Sequence, residues 1–361
     1  MGTQGATLHE PTFIEYEHDD LTGLFRRTTR SDVITPRVVV LASEARTATL
    51  RSLLPCVSLS VTTQTQLNLE ARRPGTVVFI DRDRLFQLDE VPSAPVVCMV
   101  DVGPQEMLST VISLLEQFPR VTHHLGTALL AKPEARSHLE KLVARLALGD
   151  ASSMVPDIAV GRVALLAQSR RREVRLDRMR AFLEKRGVSE RLIAKACDVF
   201  EELATNALYD APFEAGFFPS AIPRTEDVEL PLDRACQVTY GVQDDTVFLR
   251  VRDPFGALPL RRLLAVLRRC NRVGAELDES RGGAGLGMWR VFSLASTIAI
   301  TVVPGKLTEV VVTMTSSSRA KQLHAIHLDF VPDAGLDASV LVNQDDDEEL
   351  LDRSITLIRV A

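Results

Sequence analysis

Four apolar runs of strand length, Val38–Leu41, Val57–Val61, Thr76–Ile80 and Ala94–Val100, recur between Arg37 and Gly149 with helical-looking stretches between them. The runs are continuous and β-branched rather than alternating, the pattern of strands buried on both faces of a parallel sheet. Leu139, Leu142, Val143 and Leu146 follow at helical spacing and stop at Gly149, which closes a first α/β domain over residues 37–149. The residues before it, 1–36, mix acids, Gly, Thr and Pro without sustained period and are expected to be a flexible leader. Residues 150–157 are the expected linker to a second domain, a division that suits 361 residues at ~150 per domain.

The second domain is expected over residues 158–317. It opens with a strand at Val163–Ala167 and a charged helix, Glu173–Lys185, ended by Gly187. Ser189 and Glu190 cap the next helix, Arg191–Tyr209, which carries Leu192, Ile193, Ala196, Val199, Phe200, Leu203 and Ala207 on one face and stops at Pro212. A hairpin, Ala235–Gly241 with Thr246–Val251, precedes a basic amphipathic helix, Leu260–Asn271. A loop at Gly274–Gly285, a helix at Leu286–Leu294 and a hairpin across Pro304 and Gly305 complete an α/β sandwich with a mixed sheet. Residues 318–361 are a C-terminal extension with strand-like runs at Leu323–Phe330 and Ser354–Val360 and an acidic, solvated loop at Asp345–Glu349.

Charge narrows the function classes. Lys plus Arg number 42 against 48 Asp plus Glu, a net charge of −6 that favours no nucleic-acid partner. No apolar run reaches the ~18 to 20 residues of a bilayer span, so no membrane partner is expected and the chain is assigned to the cytoplasm. Five dispersed cysteines without a C-x-x-C pair suit buried free thiols in a reducing compartment. His123–His124 and the pair His324 and His327 lack the Cys or acid neighbours of a metal site.

Three separated features of the second domain belong together. Glu202 and Asn206 are four residues apart and share a helix face. Asp253-Pro254-Phe255-Gly256 places an acid at a strand end before a Gly-containing turn. Gly283, Gly285 and Gly287 then open a helix, where exposed N–H groups and the dipole favour phosphate. Each feature alone is common on ordinary helices and loops. The Gly cluster has no strand directly before it and no Lys-Ser/Thr pair after it, so it is neither a dinucleotide-binding fingerprint nor a P-loop.

In that order the features resemble the GHKL ATPase superfamily, over roughly residues 160–316. The resemblance implies a Bergerat-type fold that binds ATP and Mg²⁺. Within it Glu202 is the general base and Asn206 is the Mg²⁺ ligand, an amide oxygen being a hard neutral donor. Asp253 accepts from the adenine amino group, Gly256 belongs to the first Gly box, and Gly283, Gly285 and Gly287 form the second. Thr308 corresponds to the family's late Thr near adenine, and Arg281 and Arg272 are the lid cations. The usual Asp-x-Gly-x-Gly is altered, with Phe255 and Ala257 at the Gly spacings. The compact spacing is most similar to anti-sigma-type serine kinases, and no histidine in Glu173–Lys185 serves self-phosphorylation.

The first domain resembles a response-regulator receiver, which implies a flavodoxin-like parallel sheet. Asp81 stands in the phosphoacceptor position and Lys132-Pro133 in that of the late Lys-Pro. Ala42 and Ser43 stand where a receiver keeps its acidic Mg²⁺ pair, which implies a pseudo-receiver used for interaction or homodimerisation. The resemblances together imply a bacterial signalling regulator that either phosphorylates Ser or Thr of a regulatory protein partner or switches partners by nucleotide state. The alternative is a non-catalytic scaffold with a degenerate ATP site.

Overall fold

The structure is a computed structural model, and it describes residues 15–18, 36–54, 57–61, 63–103, 105–149, 154–155, 160–273, 286–316 and 323–330. All of them fall within one compact unit, Met1–Val331. The first half of the chain runs β1 (Glu15–His18), β2 (Arg37–Leu41), α1 (Glu44–Leu53), β3 (Val57–Ser60), α2 (Gln64–Ala71), β4 (Thr76–Asp81), α3 (Arg82–Leu85), β5 (Val96–Val100), α4 (Met107–Gln117), β6 (His123–Gly126) and α5 (Ala135–Leu148). The second runs β7 (Val160–Leu166), α6 (Arg172–Lys185), α7 (Glu190–Thr205), a π-helical turn (Asn206–Asp210), α8 (Ala211–Glu214), β8 (Cys236–Gln243), β9 (Thr246–Asp253), α9 (Leu260–Val273), α10 (Leu286–Leu294), β10 (Thr297–Val303), β11 (Leu307–Thr315) and β12 (Ala325–Phe330).

Local chemistry sets the ends of these elements. Ser43 and Thr63 cap α1 and α2, each side chain accepting from a backbone N–H three residues on. Gly149 ends α5 in the left-handed conformation that favours glycine. Ser189 occupies the N-cap of α7 without the expected side-chain bond; its carbonyl accepts from Leu192 and Ile193 instead.

Among the described residues, twelve strands form one sheet in the order β1-β7-β8-β9-β11-β10-β12-β6-β5-β4-β2-β3. Strands β3, β2, β4, β5 and β6 pair in parallel, and every residue of β4 and β5 is buried, as expected for strands covered on both faces. In the second half β7, β8, β9, β11 and β10 are antiparallel neighbours. The fold is therefore α/β with a mixed sheet. One face packs Leu67, Val111, Leu183, Phe200, Leu267 and Phe292 from the helices of both halves into a shared core. The other packs Leu50, Leu54, Leu139, Leu142 and Val143 of α1 and α5 with their flanks.

Three expectations change. Glu15–His18, inside the expected leader, is a strand antiparallel to β7. Met154 and Val155, inside the expected linker, are buried, and the Val155 carbonyl accepts from the Lys141 ammonium. The strand Leu323–Phe330 is no appendage: β12 lies between β10, to which it is parallel, and β6, to which it is antiparallel. It makes one sheet of two halves that local patterning separates, so the chain does not part at 150–157. The run Asp345–Glu349, the strand-like run Ser354–Val360 and the loop Gly274–Gly285 lie outside the described residues.

Candidate functional site

The second half places the expected site residues in two adjoining groups. The first is built on the end of α7. Glu202 is half-buried there, and the Asn206 side chain hydrogen-bonds its carboxylate. An ionised carboxylate only accepts, so the Asn206 amide nitrogen donates in this bond and its oxygen takes no part in it. Burial pushes the Glu202 carboxyl up from its ordinary value, against the opposing Arg224 guanidinium, the Asn206 bond and Arg290. Asn206 also begins the π-helical turn, a widening of helices that recurs at functional sites. That turn lies against β9, the strand that ends in Asp253.

Gly287, in the first turn of α10, packs directly on Glu202: a Cβ there would overlap the carboxylate. The glycine lets the N-terminal turn of α10 approach this acid closely.

The second group surrounds Asp253. Its side chain follows Val251 by two residues and so lies on the sheet face that the helices cover. It is buried, opposite Thr308 in the β9–β11 ladder. The Phe255 N–H donates to Asp253 Oδ1 at 3.0 Å, and further bonds come from the Gly256 N–H and from the Thr308 hydroxyl and backbone. Desolvation outweighs these donors and pushes the Asp253 carboxyl up to about 6. A buried, perturbed carboxyl at a strand end is a recognised mark of a binding site.

The turn after Asp253 has a physical need for its glycine. Gly256 sits at φ 60°, and a Cβ on it would collide with the Val303 carbonyl and the backbone nitrogens of Gly305 and Leu307. The glycine is therefore needed where the strand end meets the β10–β11 turn; Gly305 N donates to Gly256 O at 3.3 Å. Phe255 packs tilted on Phe217 with ring centroids 5.7 Å apart. Gly256→Ala is expected to cost roughly 2 to 4 kcal/mol, since strain at positive φ and a backbone collision add. Urea denaturation of wild type and variant measures it.

The structure also brings in Arg224, which no sequence motif marks, and shows what the basic helix α9 meets. Arg224 Nη2 lies 3.1 Å from Asp210 Oδ2, and its field reaches Glu202. Arg262 of α9 pairs with Glu214, and Arg268 Nε lies 2.8 Å from Glu116 of α4. The basic face of α9 is thus partly matched by acids of the chain itself. Gly283, Gly285 and Arg281 lie outside the described residues, as does the side chain of Arg272.

In the first half, the order β3-β2-β4-β5-β6 reverses between β2 and β4, where open parallel sheets bind ligands at their carboxyl ends. Asp81 stands there, but a guanidinium holds it. Arg46 Nη1 donates to Asp81 Oδ1 at 2.7 Å and Arg46 Nη2 to Asp101 Oδ2 at 2.8 Å. Ser43 N donates to Asp81 Oδ2 at 2.9 Å, and the Thr127 hydroxyl to Asp101 Oδ1 at 2.9 Å. Both Asp81 oxygens are engaged, so phosphorylation there requires Arg46 to leave first. Neither Arg46 nor Asp101 belongs to a motif legible in the sequence.

Among the described residues no group of three or more His, Cys, Asp or Glu side chains is arranged to hold a metal ion. No described helix is long and apolar enough to cross a membrane. No protein-family model matches the chain, and no curated protein matches it either.

Proposed function

We propose that residues 160–316 form a Bergerat-type nucleotide-binding unit that takes ATP with Mg²⁺, joined to a flavodoxin-like pseudo-receiver over residues 37–149. The observation that carries this reading is Asp253: a buried carboxyl held by the Phe255 and Gly256 N–H groups and by Thr308, at the end of a strand beside the Asn206 turn. The residues fit the group. Asp253 offers an oriented acceptor to an adenine amino group, and Gly256 and Gly287 let the β10–β11 turn and the N-terminal turn of α10 pack closely beside Asp253 and Glu202. Asn206 presents a neutral oxygen suited to Mg²⁺, held in register by Glu202.

Mg²⁺ would supply charge neutralisation at the phosphates and a template for in-line transfer. The chain's own contribution is positioning and proton handling. Glu202, its carboxyl raised by burial, is poised nearer neutrality than an exposed acid and so suits proton acceptance from a partner Ser or Thr hydroxyl. The acceptor protein is the regulatory partner; where no transfer occurs, the same site switches partners by nucleotide state. For residues 37–149 the Arg46 clamp on Asp81 and Asp101 favours a binding role over phosphorylation.

The Asp253 carboxyl gives the reading a pH signature. Above about 6 it is ionised and accepts strongly; below, the bound proton competes with the adenine amine. ATP affinity is therefore expected to fall as pH drops below 6, at most about tenfold per pH unit. Fluorescence titration with an adenine nucleotide between pH 5 and 8 measures this. An affinity flat across that range contradicts the role given to Asp253.

A further inference from the structure

We infer that Arg224 engages the terminal phosphate of the bound nucleotide and so makes the site prefer ATP over ADP, with Asp210 holding the guanidinium until then. This rests on the nucleotide site proposed above and names a residue that the resemblance does not supply.

Asp210 is the last residue of the π-helical turn that Asn206 begins, and Arg224 Nη2 lies 3.1 Å from its Oδ2. Among the opposite charges acting on both Glu202 and Asp210, Arg224 is the strongest. Asp210 places it four residues, about one helical turn, beyond Asn206, and its field reaches Glu202. Two other arginines stand near, each in a pair of its own: Arg262 with Glu214, and Arg290, which also acts on Glu202, with its Nε 3.7 Å from Asp198.

The loop that carries Arg224 is anchored to the same helix. The Tyr209 hydroxyl donates to the Glu226 carbonyl at 2.8 Å, two residues beyond Arg224. Val228 N donates to Ser169 Oγ at 2.9 Å, and the Gln168 amide to Glu229 at 2.7 Å. A guanidinium on such a loop is placed rather than free to wander.

The pair it makes is also easy to exchange. Both side chains are about half exposed, at 51% and 47%, so the ion pair is screened and weak. A phosphate offers the planar fork two charge-assisted bonds in place of the single contact to Asp210.

The test is calorimetric titration of the full chain with Mg·ATP and Mg·ADP, for wild type, Arg224→Ala and Arg224→Lys. Arg224→Ala is expected to lose roughly 10- to 100-fold in ATP affinity and under about threefold in ADP affinity, the size of one charge-assisted contact. Arg224→Lys keeps the charge without the fork and recovers part of the loss. Equal losses for both nucleotides, or no loss, would overturn the inference and leave the nucleotide site standing. Absence of binding by wild type would overturn both. Should Arg224→Ala not fold, Arg224→Gln carries the same comparison.

Discussion

Asp329→Ala is expected to cost about 3 to 5 kcal/mol of unfolding free energy, because it strips an acidic partner from an arginine buried at the seam between the two halves. Arg145, from the last turn of α5, is 2% exposed and reaches across to Asp329 of β12 and the Thr301 hydroxyl of β10. Removing the carboxylate leaves a guanidinium in a low-dielectric interior, which costs more than the pair itself contributes. Replacing both partners, as in Arg145→Met with Asp329→Leu, should recover most of the loss, since apolar groups of similar volume often substitute for a buried pair at little cost. Urea midpoints of the two variants test this. A single variant within about 0.5 kcal/mol of wild type, the range of ordinary surface substitutions, would contradict the seam as described.

Acidification is the second large effect. Of the seven histidines, five lie at or beside this seam: His123 and His124 of β6, His138 of α5, His324 next to β12, and His327 within it. His138 and His327 share a bond at 3.0 Å between their Nε2 atoms, and His123 Nε2 lies 3.5 Å from Asp329. Burial lowers all five, His124 to about 3 and His138 to about 4. Arg145 and the neighbouring histidines push His327 the same way, while Asp329 opposes the shift at His123.

The sign follows from linkage. A histidine whose folded value is depressed contributes stability that is complete above the unfolded value near 6.5 and is lost as pH falls toward the folded one. Between pH 7 and 5, His124 alone removes about 2 kcal/mol, and His138, whose ring is partly exposed, removes up to a similar amount. Asp253 opposes them by about 1 kcal/mol, because its raised carboxyl binds a proton in the folded state first. The net expectation is a loss of about 1 to 3 kcal/mol from pH 7 to pH 5 in chemical denaturation, reduced in His124→Leu. A stability flat over that range would show that these rings do not stay neutral in the fold.

These two expectations concern the part of the fold that the sequence disclosed least. Val77 to Ile80 and Val96 to Val100 announce parallel strands because every position is apolar, and the structure buries every one. β6 was hidden because His123-His124-Leu125-Gly126 carries no β-branched residue, although all four are buried. The strand at Ala325–Phe330 is visible in the pattern, but its neighbours are not: pairing with β10 and β6 is decided by contacts about 28 and 200 residues away in sequence, which no local period encodes.

The site divides in the same way. Glu202, Asn206 and Asp253 are legible because helical spacing and a strand end fix where they project. Arg224 and Arg46 are not, since each acts from a position with no spacing rule: one in an irregular loop, the other on a helix that faces strands distant in sequence. Gly256 shows a third case: the glycine is required where β9 meets the β10–β11 turn, a demand set by backbone distant in sequence that no local spacing encodes.

The most direct measurement is calorimetric titration of the full chain with Mg·ATP at pH 7.5, beside Asp253→Asn and Asn206→Ala. The account predicts saturable binding by wild type, its loss in Asp253→Asn, and loss of the Mg²⁺ dependence in Asn206→Ala. Well-folded wild-type protein that takes up no ATP at millimolar nucleotide would contradict it.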